Sequence, residues 1–285
     1  MGKRLSDGEI EGYWRDGFAS PVEVMGEGEA QDMRRRVEDV EARFGAVHYM
    51  VKPYLVMTAA DEIAHHTALL DAVEDIIGPD IMLWDAALII KEPGDNKHVT
   101  WHQDLTYWGL DSVDDVVSVW LALSPATVES GTMKLLPGSH KLGQLAHHAT
   151  DDDNNVLSRG QTVDLEVDEA NAVDNVLRPG QMSLHHGLVF HASMPNVSDD
   201  RRIGFNMNLI NPRVRQLKVE NDSAMMLRGE DRHGHFRPEP RPTGDFEPDA
   251  VKFQAEIGMA RGKEINHDPK GRLVNTVFKE GRIGA

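Results

Sequence analysis

The side chains best spaced for metal chemistry are a histidine and an aspartate two residues apart, in Trp101-His102-Gln103-Asp104, the single His-x-Asp triplet of the chain. If this stretch is extended, alternation puts His102 and Asp104 on one face. One neutral imidazole and one carboxylate are two-thirds of a facial triad. A second histidine from elsewhere completes the set that holds Fe(II) and leaves coordination positions open. Three candidates lie close together in Leu184-His185-His186-Gly187-Leu188-Val189-Phe190-His191-Ala192-Ser193. After a turn at Met194 to Asp200 comes Arg201-Arg202. With His191 ending one strand and Arg202 opening its hairpin partner, the two side chains can meet. Chemistry gives the arrangement a reason. A 2-oxo acid such as 2-oxoglutarate chelates iron through its oxo group and adjacent carboxylate, and its distal carboxylate needs a fixed cation, for which guanidinium has bidentate geometry. Ser193, two residues past His191, faces the same way and can donate to that carboxylate.

Other groups carry two readings. Lys91 closes an apolar run before the Pro93-Gly94 turn and either reaches an anionic ligand or lies on the surface with its stem packed. Tyr107 and Trp108 follow Asp104 closely and either wall a substrate space or join the core. His233 and His235 share a face if extended, but no carboxylate sits at a matching offset, so a solvated loop is preferred.

The elements that must position these groups change character along the 285 residues. Leu5 to Gly17 reads as a helix with Ser6 as N-cap, ended by Ser20-Pro21. Glu27 to Phe44 is a second helix, with Met33, Val37, Val40 and Phe44 at helical spacing and Gly45 suited to its C-terminus. A short extended piece is expected near Val47 to Val51, then a third helix from Asp61 to Ile77, stopped by Gly78-Pro79. These helices read as a coat. After Pro79 come short runs rich in Val, Ile, Leu and Met between turn residues. Strands are expected at Ile81–Lys91, Val99–Asp104, Val116–Leu123, Met133–Leu136, Val163–Val167, Met182–Leu184, Val189–His191 and Arg202–Ile210, the pattern of a jelly roll or barrel. The polar connection from His140 to Gln161 reads as a mobile surface excursion over a site mouth. From Pro212 arginines alternate with acids and prolines, hinting at an anionic substrate under a C-terminal flap. A short helix, Ala250 to Ala260, precedes a frayed tail.

Composition narrows the class. There are no cysteines, which removes disulfides, zinc–thiolate sites, iron–sulfur clusters and a thiol nucleophile, and fits a reducing compartment. The formal charge of −17 argues against a nucleic-acid partner. No signal-peptide h-region or membrane span is visible, so a cytoplasmic protein acting on a small molecule is expected. Oligomeric state is not readable from the sequence.

Taken in order, several motifs resemble the phytanoyl-CoA dioxygenase family of Fe(II)/2-oxoglutarate-dependent oxygenases. They are Trp101-His102-Gln103-Asp104, Trp120 in Val119-Trp120-Leu121-Ala122-Leu123, Gly131-Thr132-Met133-Lys134-Leu135-Leu136-Pro137-Gly138-Ser139-His140, and Pro179-Gly180-Gln181. The last is His191-Ala192-Ser193-Met194-Pro195-Asn196, with Arg202 eleven residues after His191. The resemblance covers Gly78 to Ile210 well and the N-terminal helices loosely. It implies a mainly β fold with a helical coat, a double-stranded β-helix of the jelly-roll or cupin-like kind. One oxygenase domain would fill 1–285, with N-terminal helices in 1–78, the jelly-roll core in 79–211 and C-terminal loops in 212–285. It also implies that His102, Asp104 and His191 hold Fe(II), that Arg202 and Ser193 bind the distal carboxylate of 2-oxoglutarate, and that Trp120 lines the cosubstrate pocket. The arginine offset then favours His191 over His185 and His186, and Arg202 over Arg201. The family often has Gly where this chain has Ala192. Related halogenases have Ala or Gly at the carboxylate position, so Asp104 favours hydroxylation.

The implied reaction consumes O2 and 2-oxoglutarate, releases succinate and CO2, and hydroxylates an unactivated C–H of a small molecule. Lys91, Tyr107 and Trp108 are the candidate substrate residues. Desaturation or cyclisation by the same oxidant is the rival within enzymes. A metal- or ligand-binding jelly roll without turnover is the rival outside them. A zinc hydrolase would share the ligand set but would leave Ser193 and Arg202 unexplained.

Overall fold

The structure, a computed structural model, describes residues 2–106, 108–148, 150, 152, 154–157 and 162–264. Tyr107 lies outside the described residues.

Helix α1 spans Asp7–Asp16. Ser6 caps it, accepting from Glu9 N while the Glu9 side chain takes the Ser6 N–H, and Gly17 closes it at φ 89°. Ser20-Pro21 does not follow the helix as a terminator. It lies inside strand β1 (Phe18–Glu23), where a missing N–H is tolerated because β1 is the sheet's edge. Helix α2 is Glu27–Phe44 as expected, with Gly45 at its C-terminus. Only an isolated bridge, His48 to Leu88, forms in the piece expected to be extended near Val47 to Val51. The single third helix is two, α3 (Thr58–Ala64) and α4 (Thr67–Ile77). His66 divides them by accepting from Ala68 N and so capping α4, an effect local to the histidine that apolar spacing does not reveal.

The remaining elements are β2 (Ile81–Lys91), β3 (Val99–His102), β4 (Val116–Ala122), β5 (Met133–Leu135), β6 (His147–His148), β7 (Thr162–Val163), β8 (Val173–Asp174), β9 (Gln181–His186), β10 (His191–Ser193), β11 (Arg202–Ile210), β12 (Ser223–Arg228), β13 (Arg237–Pro238) and α5 (Pro248–Glu264). Among the described residues the strands form a large sheet ordered β1-β9-β4-β11-β2-β12-β13, a small sheet β3-β10-β5-β8, and the pair β6-β7. Residues of the large and small sheets line one cleft, the arrangement of a double-stranded β-helix with open sheet edges.

Alternation sorts the large sheet's two faces. On β11, Ile203, Phe205, Met207 and Leu209 are fully buried against the helical coat, while Arg202, Asn206 and Asn208 face the cleft. Neighbouring strands follow suit: Val117, Val119 and Leu121 of β4 and Leu88 and Ile90 of β2 join the helical core, and Trp120, Ala87 and Ile89 line the cleft. Register slips once between β11 and β2, where Asn208 pairs with Asp85 but Leu209 pairs with Leu83. Trp84 is the extra residue of this bulge, so Asp85 keeps facing the cleft while Leu83 faces the helices.

The C-terminal helix outruns the expected one. Arg261 near its end is buried, donates to Asp222 and to the Trp84 carbonyl, and reaches Asp85 at 3.2 Å. Among the described residues no helix is long and apolar enough to cross a membrane.

Because Phe205 is fully buried between sheet and coat, Phe205→Ala is expected to destabilise the protein by about 3–5 kcal/mol. A urea-unfolding midpoint within error of the wild type would contradict this packing.

Candidate metal centre

His102 and His191 face each other as register partners of β3 and β10, their rings 4.0 Å apart between centroids. Each ring has its Nδ1 against the carbonyl two residues earlier, His102 on Thr100 O at 2.9 Å and His191 on Val189 O at 3.1 Å. Donation there places the proton on Nδ1 and leaves both Nε2 lone pairs pointing inward. Asp104 Oδ1 stands 3.5 Å from each Nε2. One ligand atom from each of the three residues falls within 4.8 Å of the other two.

Asp104 reaches this point differently from the extended stretch expected. The strand ends at His102, and Asp104 opens a 3-10 turn, Asp104–Thr106. Gln103 makes the turn possible. Its amide donates to Gly143 O and Leu188 O and accepts from Leu145 N, so it ties the ligand loop to two neighbouring segments. Leu105 N then bonds Gly187 O at 3.1 Å, and a Cβ on Gly187 would lie 2.6 Å from the Leu105 side chain. The missing side chain at Gly187 is what lets the turn seat.

Electrostatics suits a cation. Burial, reinforced by His102, pushes His191 down to about 3, so it is neutral and free to ligate. Burial works to raise the Asp104 carboxyl, but the surrounding imidazoles of His191, His102 and His185 outweigh it and hold Asp104 well below its ordinary value. Two imidazoles and one carboxylate on one wall of a cleft are the donor set for Fe(II) with open positions.

The other two histidines weighed for the third position are elsewhere. His186 bonds Leu188 N and faces Asp114. His185 is buried behind Asp104, nearest its other oxygen, and is not one of the three converging donors.

Ser193, Trp120 and Arg202 lie along the same cleft of about 1200 Å³, its open mouth included. His191 and Arg202 are not hairpin partners. His191 opens β10 in the small sheet and Arg202 opens β11 in the large one, so they meet across the cleft between sheets. Arg202 is buried, donates from Nη1 to Gly131 O at 2.7 Å, lies over the Trp120 ring, and keeps Nε without a partner. Arg201 points away, into Glu92 and Glu41. A Cβ at Gly204 would lie 2.0 Å from the Trp120 indole, so glycine there gives the ring its place.

Lys91 is not a surface lysine. It is fully buried, pairs in register with Arg202, and donates from Nζ to Ser193 Oγ at 2.7 Å and to Met194 O. Burial and the Arg202 charge depress it to about 6, and burial lowers Arg202 to about 10. Among the described residues neither is paired with a carboxylate. Lys91 therefore sits with Arg202 and Ser193.

Trp108 lines the cleft with Asp85, Asn206 and Asn208. Sequence reading missed these three polar groups and Ser118, although their alternation with buried apolar residues was the available signal. Leu157 brings part of the 140–161 connection to the cleft.

None of the arginines of residues 212–241 lines this cleft. Arg213 pairs with Asp115, Arg215 reaches His235, Arg228 binds Asp71 and Glu74, Arg232 pairs with Glu230, Arg237 with Glu256, and Arg241 with Asp61. The acid excess of the chain supplies most of them with a carboxylate away from the cleft.

Comparison with known proteins fits this geometry. A family model described as Phytanoyl-CoA dioxygenase matches residues 13–204. A solved structure described as an apo non-heme monooxygenase, ThoJ, is 36% identical with TM-score 0.80, covering 90% of this chain and 97% of that one. A probable alpha-ketoglutarate-dependent hypophosphite dioxygenase of Stutzerimonas stutzeri is 28% identical over 179 residues, 61% of this chain and 56% of that protein. The peroxisomal Phytanoyl-CoA dioxygenase of Bos taurus is 29% identical over 162 residues, 54% of this chain and 47% of that protein. The chain spans about half the length of these curated relatives.

Two substitutions test the geometry. Gly204→Ala is expected to displace the Trp120 indole, destabilising by about 1–3 kcal/mol and weakening 2-oxoglutarate binding while metal affinity, measured by equilibrium dialysis, is kept. Arg228→Ala is expected to cost about 1 kcal/mol or less and to leave 2-oxoglutarate affinity unchanged by calorimetry; a loss of that affinity would put Arg228 back at the site.

Proposed function

The chain belongs to the phytanoyl-CoA dioxygenase family, and from that premise we propose that it is an Fe(II)- and 2-oxoglutarate-dependent oxygenase that hydroxylates an unactivated C–H bond of a small molecule. One observation carries the reading: a converging His102–Asp104–His191 donor set shares a cleft with the buried, acid-free Arg202, whose register partner Lys91 is buried beside it, also without an acid. A metal-only site has no use for those cations, and a zinc hydrolase has none either.

His102, Asp104 and His191 would hold the metal. Bound Fe(II) would supply open positions at which O2 is reduced, the electrons coming from the oxidative decarboxylation of 2-oxoglutarate to succinate and CO2 and from the substrate C–H bond. The protein's own part is binding and placement. Arg202, with Nε unpartnered, offers the distal carboxylate a charge-assisted donor. Lys91 offers a second cation, and Ser193 holds its ammonium toward the same end. Trp120 stacks on the guanidinium and keeps water from that end. Trp108, Asn206, Asn208 and Asp85 line the cleft where a substrate would lie. Asp104 occupies the position a halide would need, which supports oxygen insertion, as does the likeness to a structure described as a non-heme monooxygenase.

Anaerobic Fe(II) with 2-oxoglutarate is expected to give a weak visible charge-transfer band in the wild type. The band should vanish in His191→Ala and need far more 2-oxoglutarate in Arg202→Ala. Iron bound without any band would sink the cosubstrate assignment.

A proton should also move. In the free protein Lys91, depressed to about 6, is mostly neutral at pH 7.5. A carboxylate beside it favours the charged form and raises that value, so binding takes up a proton and 2-oxoglutarate affinity falls as pH rises above about 6. Calorimetry in buffers of different ionisation enthalpy measures this uptake directly. Lys91→Met should abolish it.

A further inference from the structure

Four polar side chains cross the large sheet in one row on the cleft face. His185 of β9 is the register partner of Ser118 of β4, Ser118 of Asn208 of β11, and Asn208 of Asp85 of β2. Asp104 lies over one end of this row. Its Oδ1 faces the Nε2 atoms of His102 and His191, and its Oδ2 faces the row, 3.0 Å from Ser118 Oγ and 3.5 Å from His185 Nε2. His185 is 1% exposed, and neither ring nitrogen has a hydrogen-bond partner. A packing residue at that position would be apolar, since leaving both imidazole nitrogens unpaired in the interior is unfavourable.

We propose that His185 is a positioning residue which, together with Ser118, donates to Asp104 Oδ2 and so makes Asp104 a one-oxygen metal ligand. This rests on the metal-site reading above. A carboxylate can chelate a metal through both oxygens. Doing so here would take a coordination position that a bidentate 2-oxo acid and O2 require. Two donors fixed on the sheet hold the second oxygen back. Outer hydrogen-bond partners of this kind orient ligands and raise affinity.

The direction of the row supports donation toward Asp104. Ser118 Oγ lies 3.0 Å from both Asp104 Oδ2 and Asn208 Oδ1, yet a hydroxyl has one proton. With the Asn208 amide turned so that its nitrogen faces Ser118, every contact is satisfied: the amide donates to Ser118 Oγ, and Ser118 donates to Asp104. His185 supplies the second donor from the other side, as its Nε2–H tautomer. His185 is not itself a ligand, because its nitrogens lie outside the group of converging donor atoms.

The experiment is anaerobic Co(II) titration of the full chain, followed by visible d–d absorption and by calorimetry. Wild type is compared with His191→Ala, His185→Phe, His185→Gln and Ser118→Ala, each checked for folding by circular dichroism. His185→Phe is expected to weaken Co(II) binding by about tenfold or more and to alter the d–d bands as the carboxylate changes its mode. His185→Gln, which keeps an N–H donor, should recover most of both. Ser118→Ala should shift the bands in the same direction as His185→Phe. Wild-type affinity and spectrum in His185→Phe would overturn the proposal, as would a His185→Gln protein as impaired as His185→Phe, since shape alone would then explain the effect. If His185→Phe does not fold, an unchanged spectrum in Ser118→Ala overturns it. Wild type that binds no Co(II), or binds it equally in His191→Ala, would bring down the metal-site reading as well.

Discussion

An arginine and a lysine buried side by side without a counter-charge are costly to ionise together, and this end of the fold is organised around that cost. Arg202 and Lys91 are register partners at the end of β11 and β2, both essentially inaccessible, and among the described residues no carboxylate pairs with either. Burial, with the Arg202 charge adding to it, depresses Lys91 to about 6. Arg202 is held by a carbonyl and an indole face, which soften its desolvation without neutralising it. On the function proposed above, that charge is left for a ligand to complete.

Elsewhere the same interior treats its buried charges differently. Lys52 is buried against Glu239, and Arg261 against Asp222, with Tyr54 and Trp84 filling the remaining hydrogen bonds. These are closed networks that fasten β13 and the C-terminal helix to the back of the sheet. Asp85 joins the two regimes, with one oxygen toward Arg261 and its side chain in the cleft. Closed networks hold the scaffold, and open ones face the cleft.

The large sheet does the positioning by alternation. Every second residue of β11, β4 and β2 enters the helical core, and the intervening ones lie on the opposite face in rows: Lys91 with Arg202, then Trp120 with Asn206, then His185, Ser118, Asn208 and Asp85. Gly204 interrupts the wall so that the indole fits, and the Trp84 bulge keeps the last row aligned.

Much of this was legible beforehand. Strands β2 and β11 and helix α2 have the expected bounds because their apolar patterns are long and end at turn residues. Residue types and spacing at His102, Asp104, Ser193 and the nearby histidines and arginines suggested chelation with a carboxylate clamp, and the family resemblance singled out His191, Arg202 and Trp120. Short or polar elements were not legible. β1 contains a proline, β12 and β13 sit in an arginine-rich stretch, and the break at His66 depends on one side-chain bond. Local chain chemistry, which depends on neighbours a few residues away, was thus determined by the sequence alone. Only the tertiary structure decided that Asp104 reaches the centre from a turn, that Lys91 is buried beside Arg202, that His185 stands behind the carboxylate, and that most of the later arginines pair with acids away from the cleft. Each of those facts depends on which strands are neighbours, and strand order joins residues about a hundred positions apart, a distance over which periodicity carries no information.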